Sequence, residues 1–276
     1  MTVFLSLGGG VQSSTIAEMV VEGVLPRPTA AIFADTGNEP PWVYEHLDYL
    51  ESRLATVGVP LWRVRRKGSR GLVEDIFTPR LKSYPLPPFH MASNDLPGML
   101  HRQCTKEYKI IPLRQAIQRF LAKKGQAKVN KAGAIRVKPG VQAVLWLGIS
   151  KDEWTRARTS GVAWLRHEYP LLDKGMSRAD CAAWLRKHGL PVPKKSSCLI
   201  CPYHTQSFWL ELRRDYPELW EAVTAIDRRL REDQGLPWQK ALQGKPYIHR
   251  SCKPLNEAVG LQLSLFADAS CGYCFV

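Results

Sequence analysis

The sequence has no run of about 18 apolar residues, which excludes a membrane-spanning helix and leaves no membrane partner to expect. No basic stretch precedes the short apolar run in MTVFLSLGGG, so the opening reads as a buried first strand and not as a signal peptide. Internal repeats and low-complexity tracts are missing. With 45% hydrophobic and 23% charged residues, a disordered or collagen-like chain is excluded as well. The 7 histidines form no H-x-x-x-H pair. At 276 residues the chain is long enough to bury a sizeable core without metal or disulfide support. Acidic residues are scarce in one place above all: residues 101–138 carry 11 Lys+Arg against 1 Asp+Glu, and so supply most of the net charge of +14. Such a block attracts polyanions by counterion release, which makes a nucleic acid the leading partner. The plainer alternative is a solvated basic face beside a site for a small anion. Seven cysteines without a secretory leader point to a reducing cytoplasm, where thiols serve as ligands or nucleophiles more than as disulfides.

What is present is periodic. Val3–Leu7 is a short apolar strand, and Ile16, Met19, Val20 and Val24 form one stripe of a helix from about Ser13 to Val24. Thr29–Ala34 is a second buried strand. Val43, Leu47, Leu50, Leu54 and Val57 mark an amphipathic helix, and Pro60–Val64 a third strand. This alternation with short connections predicts an α/β fold with a doubly wound, mostly parallel sheet. Arg65–Pro97 reads mostly as loop. Pro112 opens a helix through about Lys123, and a basic insertion over about 123–140 precedes the strand Val144–Gly148. Ser177 with Asp180 predicts a capping box on a helix that runs to His188 and stops at Gly189. Phe208–Glu232 reads as helix broken at Pro217, and no element is assigned beyond Pro237.

Ser6-Leu7-Gly8-Gly9-Gly10-Val11-Gln12-Ser13-Ser14 joins the first strand to the first helix. Glycines allow a sharp turn and a close approach to an anion, the helix start offers N–H groups, and Ser13 and Ser14 add hydroxyls. The motif is not a Walker A loop, since no Gly-Lys-Ser/Thr follows, and its G-x-G-x-x-S spacing is one letter from a dinucleotide fingerprint. A tight β–α turn with no ligand is the third alternative.

Downstream residues favour a phosphate cradle of another kind. Asp35-Thr36-Gly37-Asn38-Glu39 follows the second strand. Arg102-Gln103-Cys104-Thr105 precedes Lys109 and Pro112, and Gly148-Ile149-Ser150-Lys151-Asp152-Glu153 precedes Arg156. Tyr169-Pro170-Leu171 and Cys198-Leu199-Ile200-Cys201-Pro202 come next in order. Together these resemble the PP-loop ATP pyrophosphatase superfamily, in the branch of the phosphoadenosine-phosphosulfate reductases and the DNA-phosphorothioation sulfurtransferase. The chain departs from the family pattern where Gly8 stands for its first Ser, Val11 for Lys, Gln12 for Asp and Ser150 for Arg. The resemblance spans about residues 3–203. It implies an adenine nucleotide alpha hydrolase-like nucleotide-binding domain over 1–203, with 204–276 as a helical and irregular C-terminal region ending in a Cys-containing extension.

What the resemblance implies for function is an ATP-dependent adenylating sulfurtransferase acting on a nucleic acid or nucleotide. ATP and Mg²⁺ would lie on Ser6, Gly8, Gly9, Gly10, Gln12, Ser13 and Ser14, with Asp35, Thr36, Gly37, Asp152 and Glu153 around them. Lys109 and Arg156 would neutralise charge, and a cysteine desulfurase or another donor would supply sulfur. Cys104 is a further candidate catalytic residue. Two alternatives stay open: a phosphosulfate reductase-type oxidoreductase with the terminal Cys271 as the reactive thiol, and a non-catalytic nucleic-acid-binding protein on the same fold. Cys198/Cys201 and Cys271/Cys274 are two C-x-x-C pairs. They suit a 4Fe–4S cluster completed by Cys104 or the tail thiols, a structural Zn²⁺ site, or free thiols; spacing alone does not choose.

Overall fold

The computed structural model describes residues 2–79, 84–93, 96–232 and 234–259. The first elements are β1 (Thr2–Ser6), α1 (Val11–Val21), β2 (Ala30–Ala34), α2 (Pro41–Ala55), β3 (Leu61–Val64) and α3 (Leu72–Ile76). Next come β4 (His90–Ser93), β5 (Leu96–Met99), a π-helix (Thr105–Ile110) that continues into α4 (Ile111–Lys123), β6 (Ala127–Val129), β7 (Ile135–Val137) and β8 (Ala143–Trp146). A 3₁₀ segment (Lys151–Arg156), β9 (Leu165–Glu168), α5 (Pro170–Asp173) and α6 (Arg178–Lys187) follow. The remainder is α7 (Gln206–Asp215), α8 (Pro217–Arg231), α9 (Pro237–Ala241), β10 (Lys245–Tyr247) and α10 (Leu255–Ala258).

The chain forms two compact units interleaved in sequence. One comprises residues 1–35, 39–67 and 108–196, the other 36–38, 68–107 and 197–276. The first is built on a five-stranded, all-parallel sheet of order β3-β2-β1-β8-β9. Period-2 alternation sends Leu5, Leu7, Ala31, Phe33, Val144 and Trp146 to one face, where α1, α2 and α6 cover them. Phe4, Ala30, Ile32, Ala143 and Leu145 point to the other face, covered by α4 through Leu113, Ile117 and Leu121. With both faces buried the fold is α/β, as the strand–helix alternation predicts.

The capping box of α6 forms as expected: Ser177 Oγ accepts from Asp180 N–H, and Asp180 accepts from Ser177 N–H at 2.9 Å. Cys181 is a core residue, and burial pushes its thiol up to about 11. Helix α1 is shorter than its apolar stripe suggests. Gly23 takes φ +73°, and the Val24 N–H closes on the Met19 carbonyl at 2.8 Å, so Val24 lies past the helix end and is exposed.

The second unit holds an antiparallel sheet of order β10-β4-β5 and the pair α7–α8, broken at Pro217 as the sequence indicates. Its centre is the buried carboxylate of Asp227, which pairs with Arg231 at 2.8 Å and accepts the N–H groups of Ile248 and Leu255. Trp209 and Trp238 are buried here, and Trp238 Nε1 donates to the Ile76 carbonyl at 2.9 Å. The stretch read as loop, 65–97, in fact supplies α3, β4 and part of β5, because β4 finds its partners in β5 and in the distant β10.

Candidate functional site

In the first unit the chain winds from β1 through β2 to β3 on one side, then returns to place β8 on the other side of β1. The direction of winding reverses between β1 and β8, and in open parallel sheets ligands bind at the carboxyl ends of the strands at such a reversal. The turn after β1 carries Gly8–Ser14, and the turn after β8 carries Gly148–Glu153. The two turns touch: a Cβ on Gly148 would sit 2.9 Å from Ser13 N. Gly9 has φ +71°, a conformation that favours glycine, and a Cβ on Gly10 would lie 2.7 Å from Ser196 Oγ. Ser14 N–H makes the first helical bond, to the Gly10 carbonyl at 2.9 Å, so the N–H groups of Val11, Gln12 and Ser13 precede the ladder.

The side chains of the motif are engaged within the protein. Ser13 Oγ accepts from Gly8 N–H and donates to the Gly10 carbonyl, each at 3.2 Å, bracing the glycine turn from inside. Ser14 Oγ shares a 2.9 Å hydrogen bond with His46 Nε2, whose pKa burial lowers to about 4. Gln12 is buried with its amide filled: Nε2 donates to Glu153 Oε2 at 3.2 Å and to Ser150 Oγ at 3.4 Å, and Oε1 accepts from Arg178 Nη1 at 2.9 Å. Glu153 also pairs with Arg156 at 2.8 Å. Asp152 accepts the Arg178 N–H at 2.9 Å; burial opposes its charge, but the Ser150 hydroxyl and that N–H outweigh burial and hold its pKa low. Gln12, Ser150, Asp152, Glu153, Arg156 and Arg178 therefore form one network around the first turn of α1.

On the β2 side, Asp35 is buried and both its oxygens are taken. Tyr44 Oη donates to Oδ1 at 2.8 Å, and Arg65 Nε donates to Oδ2 at 2.7 Å. Burial, the bond to Asp35 and the nearby Asp35 and Glu39 charges raise the Tyr44 pKa, keeping it a donor. Lys109 Nζ lies 3.4 Å from Glu39 Oε1. Asp35 is thus a partner of Arg65 and Tyr44 here. Of the proposed nucleotide residues, Ser6, Gly8, Gly9, Gly10, Gln12, Ser13, Ser14, Asp35, Asp152 and Glu153 belong to the first unit, with Lys109 and Arg156. Sequence reasoning missed Tyr44, His46, Arg65 and Arg178. Only Arg65 had a legible signal, its place just past the carboxyl end of a predicted strand.

Thr36 and Gly37 belong to the second unit, with Cys104, Cys198 and Cys201. Gly37 takes φ +70°, and a Cβ there would meet Gly71 Cα at 3.0 Å. Asn38 holds the cysteine turn: its carbonyl accepts Leu199 N–H at 2.8 Å, and its Oδ1 accepts Ile200 N–H at 3.4 Å. Cys201 N–H closes the turn on the Cys198 carbonyl at 2.9 Å, and His204 Nε2 lies 3.0 Å from that same carbonyl. His204 is buried and stacks on Phe208 with centroids 3.5 Å apart, a packed histidine. Cys198 and Cys201 are 8% and 9% exposed, so they face little water. Among the described residues no three His, Cys, Asp or Glu side chains gather as a metal-holding group. Cys271 and Cys274 lie outside the described residues. The described thiols thus supply a pair and do not fit a four-thiolate cluster or Zn²⁺ site by themselves.

No protein-family model matches the sequence, and no curated protein is similar to it. Among the described residues no helix is long and apolar enough to cross a membrane.

Proposed function

We propose that the protein is a PP-loop-type, adenine nucleotide alpha hydrolase-like enzyme that activates an acceptor on a nucleic acid with ATP for sulfur transfer. The observation that carries this reading is the meeting of the Gly8–Ser14 turn with the Gly148–Glu153 turn where the sheet winding reverses. The ATP phosphates would rest on the backbone N–H groups at the start of α1, since the motif hydroxyls and the Gln12 amide are committed elsewhere. An acceptor oxygen would attack the α-phosphorus as pyrophosphate leaves, a displacement that needs positioning and charge neutralisation more than covalent help. Lys109 and Arg156 would supply positive charge, and Mg²⁺, when bound through the phosphates, would neutralise more of it. The adenylated acceptor would then be attacked by the terminal sulfur of a persulfide on a donor protein such as a cysteine desulfurase, expelling AMP, and a second thiol would reduce the resulting S–S bond, itself ending in a disulfide, to leave the sulfur on the acceptor. No step is assigned to a metal–thiolate cluster.

A second reading, a non-catalytic nucleic-acid binder on this fold, is favoured by one observation. The residue at the usual aspartate position, Gln12, carries no charge and is tied to Glu153 and Arg178, and the Asp35 carboxylate is paired with Tyr44 and Arg65. ATP–pyrophosphate exchange separates the two. Exchange that is abolished in Lys109→Ala supports the enzyme. Nucleic-acid binding without exchange supports the binder, and sulfite release from phosphoadenosine phosphosulfate overturns both in favour of a reductase.

A further inference from the structure

From Tyr108 to Lys151 the sequence contains no Asp or Glu. The structure folds the middle of this stretch into the hairpin β6–β7, which packs against α4. Ala127, Ile135 and Val137 turn toward that helix and its core, leaving Lys128 and Arg136 on the outer face. These two cations are directly opposite each other in the antiparallel register. Like charges facing across a hairpin disfavour it, and no described carboxylate relieves this pair. Lys131 and Lys138 extend the exposed charge along the ribbon, and Lys123 and Lys124 continue it at the end of α4. The two helix lysines have a local explanation, the negative end of the helix dipole. The hairpin pair has none among the described residues.

We propose that the outer face of β6–β7 is a docking surface for the phosphate backbone of a duplex nucleic acid, with the facing Lys128 and Arg136 as its centre. A polyanion turns the repulsion between them into two favourable contacts. Nucleic acid fits better than a lipid surface, because Val129 is the one large apolar side chain the hairpin exposes and nothing else is available to insert. A two-stranded antiparallel ribbon also has the width that a B-form major groove admits, about 12 Å. This inference rests on the nucleic-acid acceptor of the proposed function and names a surface that would hold its phosphate backbone.

The test is fluorescence anisotropy of the full chain with a labelled 20-base-pair DNA duplex across a salt series, beside titration with phosphatidylserine vesicles. Two charge-neutral pairs, Lys128→Gln with Arg136→Gln and Lys131→Gln with Lys138→Gln, are compared with wild type, and thermal melting reports whether each folds. Each pair is expected to reduce the log–log salt slope by about 2 and to weaken duplex binding roughly tenfold or more at 0.1 M salt. Duplex binding with an unchanged slope in both variants overturns the hairpin surface and leaves the nucleic-acid acceptor standing. Binding to vesicles but not to duplex, or to neither, overturns both, while ATP–pyrophosphate exchange judges the nucleotide site separately.

Discussion

Two charged regions of the first unit handle their charges in opposite ways. Around Gln12, Glu153 meets Arg156, Asp152 meets the Arg178 N–H, and the amide itself ties both sides to the first turn of α1. On the β6–β7 hairpin, Lys128 faces Arg136 and no described carboxylate answers either. Paired, half-buried groups fix a conformation, because breaking any one leaves another desolvated without a partner. Exposed, unpaired cations fix nothing inside the chain and instead raise the local attraction for anions. The first region holds a shape; the second carries the surface proposed above for a partner.

This contrast breaks most visibly where backbone is closest. Gly148→Ala puts a Cβ 2.9 Å from Ser13 N, so the turn after β8 must lift from α1; a loss of about 3 kcal/mol is expected, the upper range for overpacking. Gly8→Ala, whose Cβ would meet nothing nearer than Ser13 Oγ at 3.9 Å, is expected to change stability by less than about 0.5 kcal/mol, and thermal melting of the two variants side by side checks both. Next in size, Arg178→Ala leaves the buried Gln12 Oε1 unmatched, with an expected cost of about 2 kcal/mol in denaturant unfolding. A result near zero would show that the network is not what holds the turn.

The pH dependence follows from histidines kept neutral by burial. Burial lowers His46 to about 4, and burial with the Arg250 and His90 charges lowers His249 to about 4. The unfolded chain takes up these protons near pH 6.5 while the folded chain does not, so their contribution is complete above about pH 6.5 and is lost as pH falls toward 4. His46→Gln is expected to flatten that part of the stability–pH curve, and an unchanged curve would mean that burial does not hold His46 neutral in solution. The smallest effect has the opposite sign: Lys128→Glu places a carboxylate across from Arg136 and should raise stability by about 0.5 kcal/mol while weakening duplex binding. Loss of stability in that variant would remove the contrast drawn between the two regions.

Much of the parallel sheet was legible in the sequence. β1, β2, β3 and β8 are short apolar runs beside amphipathic helices, and a strand buried on both faces announces itself in that way. The α6 cap and the break at Pro217 were legible because each is local chemistry. Gly23 is a local stop signal, but the apolar Val24 beyond it extends the stripe past the true helix end. β9 was missed because Leu165-Arg166-His167-Glu168 is polar, an edge strand held by pairing to β8. β4 was missed for a different reason: its partner β10 lies more than 150 residues on, and no local window contains both.

At the candidate site the residues that bring backbone near an anion, Gly8 to Gly10 and Gly148, could be named from sequence, because glycine has few other uses at such a turn. Which partner each polar group takes could not. Gln12 is a free donor on paper, and only packing delivers Arg178 from α6 and Glu153 from the 3₁₀ segment to fill it.

The sequence by itself determined the α/β alternation, the glycine turn at its first strand and the basic block between Tyr108 and Lys151, since periodicity, backbone freedom and net charge are properties of neighbours along a chain. Tertiary structure alone decided that Asp35 belongs to Arg65 and Tyr44, that Gln12 is sealed into a network, and that Lys128 and Arg136 confront each other. Those outcomes depend on strand register and helix packing, which bring together groups up to 166 residues apart and so leave no local trace.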